Sequence, residues 1–288
     1  MSAQDLVARA QKWSKEQPWR LYASQVSILV RNEVRRNLFT RRRIGIYVLA
    51  SAPALIILAH AIFDTGRAQI EEDTQVLAYI VQLYYFRLGI FFACMAVFTW
   101  LFRGEMVEKT LHYQFLVPVR REVLVVGKFL AGVVVAIALF ETAVVACFFF
   151  MYARYGSAGK SYVFDGPGLG QLESYLLATA LACLGYGAVF LALSLLFKNP
   201  IVPGVLIMGW ETIAPIFPSW AQRLSVTFYL KPLCPVNLPV TGPLAIFTVV
   251  AEPVSPWIAV LGLLCLTIAI LVLSCFLIHR MEITYTTE

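Results

Sequence analysis

Three ionisable residues stand inside runs that are otherwise apolar: Arg87, Glu141 and Glu211. A charge in hydrocarbon is costly, so each must face protein or water, as part of a structural pair, a relay or a path. At ~1.5 Å per helical residue, Arg87 lies roughly 24 Å from Arg103 and Glu141 roughly 20 Å from Lys128, the charges that bound their runs. Similar depths on consecutive segments make an Arg87–Glu141 ion pair the structural expectation. Glu211 lies ~15 Å from Ile201 with no partner evident in the sequence. Three states are open to it: protonated, hydrogen-bonded to a neighbouring helix, or lining a path.

A second group of chemistry-bearing residues falls between 103 and 128. It reads Glu105-Met106-Val107-Glu108-Lys109-Thr110-Leu111, then Pro118-Val119-Arg120-Arg121-Glu122, then Gly127-Lys128. Charged side chains such as Glu105, Glu108, Arg120 and Arg121 make directional contacts in a partner's groove. Pro118 fixes a backbone angle and breaks a helix, and Lys128 marks a membrane edge. An ordinary basic loop accounts for any one of these residues, but much less well for the whole spacing.

Other chemistries find little support. Gly159-Lys160-Ser161 has the end of a nucleotide-binding loop, but the position that requires its first glycine is Arg154. No Gly-x-Ser-x-Gly is present, and His60, His112 and His279 are scattered without ligand spacing. Five of the six cysteines lie in apolar runs and none forms a Cys-x-x-Cys pair, so they read as small hydrophobes. Neither a catalytic nor a metal site is expected, and the chain is not expected to be an enzyme.

The elements that must position these residues are membrane helices. The chain has 288 residues, 60% hydrophobic and 14% charged. Soluble domains carry roughly a quarter charged residues and cannot bury so much apolar surface. A spanning helix needs ~20 apolar residues. Six such runs occur: Ile44 to Phe63, Leu77 to Phe102, Phe129 to Tyr152, Ser174 to Phe197, Ile201 to Trp220 and Trp257 to Ile278. With both termini placed in the cytoplasm, 17 Lys and Arg fall inside and 5 outside, which sets the orientation. The net charge of +6 is thereby assigned to cytoplasmic loops rather than to nucleic acid.

The expected fold is all-α and integral to the membrane. Residues 1–43 form a cytoplasmic amino terminus without a cleavable signal, in which Trp19 to Phe39 makes an amphipathic interfacial helix. Residues 44–278 form the six-span domain, and 279–288 a cytoplasmic tail. Residues 103–128 are a cytoplasmic hairpin. Residues 212–256 are an outer segment with eight of the fourteen prolines, which calls for short helices and re-entrant turns.

The hairpin resembles the first cytoplasmic loop of the type-2 ATP-binding-cassette (ABC) exporter permeases. That family carries an acidic stretch, a Thr-Leu, a Pro-Val eight residues after the Thr, a basic pair and a Gly-Lys entering the third span. Thr110 and Pro118 keep the spacing, while Lys109 stands where the family usually has Gly. The basic helix ahead of span 1, the six spans, the long outer segment and the Arg280-Met281-Glu282-Ile283-Thr284-Tyr285 ending are similar too.

The resemblance implies a permease subunit in the cytoplasmic membrane that moves its substrate outward by alternating access. Its partners would be a separate cytoplasmic ATPase, which holds the ATP and Mg, and a second permease, identical or different. Glu105, Glu108, Thr110, Pro118, Arg120, Arg121 and Lys128 would couple to the ATPase. Arg87 and Glu211, on the second and fifth spans, would lie near the path, with Glu141 a further candidate. Two other readings stay open: an ion-coupled secondary transporter using Glu141 and Glu211, and a non-transporting anchor for a membrane complex.

Overall fold

In hydrocarbon a backbone must satisfy its own polar groups, and an apolar run does so by becoming a helix. The computed structural model describes residues 18–38, 44–63, 69–108, 116, 119–197, 199–238 and 254–280. Among them every regular element is helical. Five helices are long and apolar enough to cross a membrane: span 1 (Ile44–Phe63), span 2 (Ile70–Gly104), span 3 (Arg121–Ala153), span 4 (Gly168–Leu196) and span 6 (Pro256–Arg280). The protein is an all-α membrane protein.

The remaining apolar run gives a shorter helix, Ile201–Ile216, called span 5 here. Its 16 residues reach about 24 Å, less than the ~30 Å of hydrocarbon. The run was expected to continue to Trp220. It stops because Pro215 and Pro218 have no N–H to donate and their rings clash with the preceding turn. Beyond it the chain forms short turns of helix, Ser219–Gln222, Val226–Leu230 and Lys231–Leu233. The second of these wedges between spans 4 and 6: a Cβ on Gly185 would lie 3.0 Å from Val226, and one on Gly262 would clash with Tyr229. The rest of the proline-rich segment, 239–253, lies outside the described residues, as do 1–17 and 281–288.

Spans 2 and 3 are longer than the apolar runs that announced them. At 35 and 33 residues they reach roughly 50 Å and must project beyond the hydrocarbon. Span 2 begins with Glu71, Glu72 and Asp73 in its first turn, where the positive end of the helix favours acids. Asp73 accepts a 2.9 Å hydrogen bond from the Tyr155 hydroxyl and pairs with Arg154 at 3.5 Å, joining the far ends of spans 2 and 3. Burial, together with that bond, pushes the Tyr155 phenol up to about 12, so it remains a donor. Span 2 is also interrupted by two π-helical stretches, Ile80–Gly89 and Trp100–Gly104. Arg87 lies in the first of them.

Span 4 is the centre of the bundle, packed by spans 2, 3 and 6. Span 4 is 72% buried along its most apolar stretch, against 22% for spans 1 and 6, which leave most of their surface exposed. The tightest three-helix contact surrounds Phe98 of span 2, which is fully buried. Its ring edge is met by Gly132 of span 3 and Gly187 of span 4, and a Cβ at either glycine would come within 2.6 Å of it. Small residues at such points let helices approach closely in the absence of a hydrophobic driving force.

The helix Trp19–Leu38 lies along the beginning of span 3 in one of the more extensive helix contacts of the structure. It was expected to rest in the headgroup layer. The structure adds a protein face to that picture: Leu29 packs on Gly127, and Glu33 turns inward with 5% of its surface exposed. Trp19, Leu21 and Ile28 remain exposed.

A methyl group at Gly187 should test this packing. Gly187→Ala is expected to lower stability by about 1–3 kcal/mol through overpacking against Phe98. Phe98→Leu in the same chain should recover part of the loss in thermal unfolding of the detergent-solubilised protein. Equal stability of Gly187→Ala and the unaltered chain would show that the ring has room.

Candidate functional site

The hairpin residues Glu105 and Lys128 do not reach outward from the bundle. Both side chains are fully buried, with the Lys128 Nζ 2.7 Å from Glu105 Oε2. The same ammonium donates to Glu33 Oε1 at 3.0 Å and to the Leu101 carbonyl at 2.9 Å, and it lies 5.3 Å from the centre of the Phe102 ring. Arg36 closes the group, 3.2 Å from Glu105 Oε1 and 3.8 Å from Glu33 Oε2. Two carboxylates and two cations balance. The set joins the amino-terminal helix, the end of span 2 and the start of span 3.

The expectation that such charges contact a partner does not hold for Glu105, which has no exposed surface, and Lys128, read as a marker of the membrane edge, is enclosed in protein. The physical reason is their helix faces: both point at the seam between spans 2 and 3, where an uncompensated charge would be expensive. Glu33 and Arg36 were missed by sequence reasoning. A signal existed, since Glu33 is the sole acid in a helix with Arg20, Arg31, Arg35 and Arg36.

Arg121 is half-buried and donates to the carbonyls of Ile278 and His279 at 3.3 and 3.4 Å, capping the end of span 6 as cations do at helix carboxyl termini. Beside it Glu122 meets the His279 ring nitrogen at 2.8 Å. Arg120 is exposed, 5.2 Å above the Tyr22 ring, and Glu108 is exposed at the end of span 2. Thr110 and Pro118 lie outside the described residues. The hairpin's charges thus divide between internal fasteners, Glu105, Arg121 and Lys128, and two surface groups, Glu108 and Arg120.

Deeper in the bundle, a cavity of about 220 Å³ opens between spans 2, 4 and 5. Arg87, Tyr186 and Glu211 give it polar groups, and Leu83, Phe91 and Met208 are among its apolar walls. Arg87 shares this cavity with Tyr186 and Glu211, and no electrostatic contribution from Arg87 reaches Glu141. The Arg87–Glu141 pair is therefore overturned. Similar depth was not enough, because the two side chains leave their helices in different directions. Glu141 is half-buried on span 3, on the side of Cys183, and does not line the cavity.

Glu211 has found the partners that its own span could not supply. Its Oε2 accepts from the Ser225 and Thr227 hydroxyls at 2.7 and 2.6 Å and from the Thr227 amide at 3.0 Å; its Oε1 accepts from the Val226 amide at 2.9 Å. The Tyr186 hydroxyl lies 3.1 Å from Thr227 Oγ1, extending the network to span 4. Of the three states left open, hydrogen bonding is observed, though with the short turn after span 5 rather than a neighbouring helix, and the same residue also borders the cavity. Amides in the first turn of Val226–Leu230 need acceptors, and the carboxylate provides them. Ser225, Thr227 and Tyr186 could not be singled out from sequence, because their role depends on the chain folding back onto span 5.

Among the described residues, no group of His, Cys, Asp and Glu is placed to hold a metal ion. The model of a family described as "ABC-2 family transporter protein" matches residues 38–209. That range runs from the end of the amino-terminal helix through spans 1 to 4 into span 5 and includes the whole hairpin. No curated protein matches the chain.

Two substitutions follow. Lys128→Met removes the centre of the ionic cluster and leaves two buried carboxylates to share Arg36, so it should cost about 3–5 kcal/mol and make the amino-terminal helix sensitive to limited proteolysis. An unchanged digestion pattern would show that the helix is held by apolar contact alone. Glu211→Gln sets an amide NH2 among donors and should cost about 1–3 kcal/mol in thermal unfolding, about as much as losing a buried acceptor. Unchanged stability in that variant would mean the four bonds to Glu211 contribute little to the fold.

Proposed function

Because the chain belongs to the ABC-2 family of transporter proteins, we propose that it is the permease subunit of an ATP-driven exporter in the cytoplasmic membrane, with both termini cytoplasmic. In this reading a separate ATPase subunit binds ATP and Mg, and two permeases pair to form the path. The hairpin end of the bundle, with its excess of Lys and Arg, faces that ATPase.

The observation that carries the proposal is the buried cluster of Glu33, Arg36, Glu105 and Lys128. It grips the chain at both ends of the hairpin, where span 2 stops and span 3 starts. A push on the hairpin therefore reaches spans 2 and 3 together, with the amino-terminal helix as a third member. Arg121, through its hold on Ile278 and His279, carries the same push to span 6. Glu108 and Arg120 are left at the surface to meet the ATPase, and Thr110 and Pro118 stay candidates on the strength of the hairpin's spacing.

The cavity supports a path beside span 2. It brings together Arg87 and Glu211, the two candidates on spans 2 and 5, and leaves Glu141 aside. The engagement of Glu211 with four donors weighs against its use as a proton carrier, and so against ion-coupled transport.

Docking can be separated from folding, because the surface groups differ from the buried ones. Glu108→Ala with Arg120→Ala should leave membrane abundance unchanged and lower stability by no more than about 1 kcal/mol, as exposed charges do, while recovery of the co-expressed ATPase with the purified permease falls several-fold. Undiminished recovery together with normal ATP-driven transport would overturn the assignment of these two residues.

A further inference from the structure

One face of the amino-terminal helix is not used by the ionic cluster. Ser27, Val30, Arg31, Val34 and Arg35 recur at helical spacing and border an open groove of about 690 Å³ whose other wall is Leu130 and Val134 of span 3. Leu130 and Val134 are 38% and 46% exposed, and Arg31 and Arg35 are exposed as well. Neither arginine meets a carboxylate among the described residues; the only acid of this helix, Glu33, is turned inward to Lys128. At ~1.5 Å per residue, Leu130 and Val134 continue the groove roughly 3 and 9 Å along span 3 past Lys128.

We infer that this groove is a binding site for an anionic phospholipid. The phosphodiester sits between the Arg31 and Arg35 guanidinium groups, which stand one helical turn apart and donate in a planar fork. The first part of an acyl chain lies along Val30, Val34, Leu130 and Val134. Charge complementarity selects the anionic class: a zwitterionic headgroup would set its own cation beside two arginines, with no acid among the described residues bordering the groove to receive it. Basic pockets between helices at a membrane surface bind anionic headgroups on the same grounds. The inference rests on the amino-terminal helix lying at a membrane surface, but it does not require an ATPase or transport.

The test uses the full-length purified chain in detergent micelles, with energy transfer from its tryptophans to dansyl-labelled phosphatidylglycerol or dansyl-labelled phosphatidylcholine. The unaltered chain should bind the anionic probe more tightly. Arg31→Gln and Arg35→Gln should each weaken that binding about fivefold, and together about thirtyfold, with the phosphatidylcholine signal unchanged. Leu130→Trp, which fills the apolar half without touching charge, should weaken both probes. Arg223→Gln, at the other end of the bundle, should change neither.

Equal affinity of the unaltered chain for the two lipids, or full affinity of the double arginine variant for phosphatidylglycerol, would overturn the site. Displacement of the dansyl lipid by millimolar inorganic phosphate would make it a phosphate site rather than a lipid site. Cross-linking of Val134→Cys to a second copy in membranes, above the level of the unaltered chain, would assign the groove to a subunit interface. Because no ATPase is present, loss of lipid binding and loss of ATPase recovery are separate results. Either proposal can fail without the other.

Discussion

A charge carried into a place without water must find its counter-charge inside the protein, and the position of Lys128 is where this constraint acts most strongly. Its ammonium is fully enclosed between helices, where an unpaired charge would cost several kcal/mol. Glu105 and Glu33 supply the compensation, and Arg36 restores the balance that two carboxylates would otherwise upset. These four residues come from three segments of the chain, two of them the ends of the hairpin and the third about 70 residues before it. The requirement for neutrality therefore becomes a requirement on architecture: the amino-terminal helix, the end of span 2 and the start of span 3 must stay together.

The same constraint is met differently at Glu211. No cation lies along its own span, and the carboxylate is instead surrounded by hydroxyls and by amides of the turn that follows. Those amides had no helical acceptors, so one contact resolves two deficits. The result holds the proline-rich segment against span 5 and, through Thr227 and Tyr186, against span 4. The cavity that contains Arg87 lies beside this junction. Its polar wall thus includes Glu211 and Tyr186, which also hold the bundle together, and its apolar wall includes Phe91, which packs against span 4.

Between these two networks lies a core that carries little polarity. Phe98 fits between Gly132 and Gly187, and Phe91 makes edge contacts with Tyr186 and Phe190 at 5.3 and 4.9 Å. Packing of this kind leaves spans 2, 3 and 4 little freedom to slide independently. In the proposed mechanism a displacement that begins at the hairpin therefore moves them as a body, and the cavity wall that can change is the one formed by span 5. That helix is short, is followed by prolines and exposes much of its surface.

Much of this was legible without coordinates. The length of an apolar run, set against the thickness of hydrocarbon, determines that a helix forms, and Ile44–Phe63 lies where its run lies. Local breakers act locally as well, so the density of proline after residue 212 announced short helices and turns. The hairpin's spacing pointed to a family whose model matches residues 38–209. What the sequence could not convey was direction. Depth along a helix can be counted, but a partner depends on which way a side chain leaves its axis and on which helix stands there. Arg87 and Glu141 match in depth and do not meet; Lys128 meets Glu33, 95 residues away in the chain. Glu105 and Glu108 are one turn apart in the same motif, yet one is sealed inside the bundle and the other exposed. Periodicity and composition are properties of a segment, and the sequence by itself determined the elements. Pairing is a property of the packed assembly, and only the tertiary structure decided which charges are enclosed in the bundle and which lie at its surface.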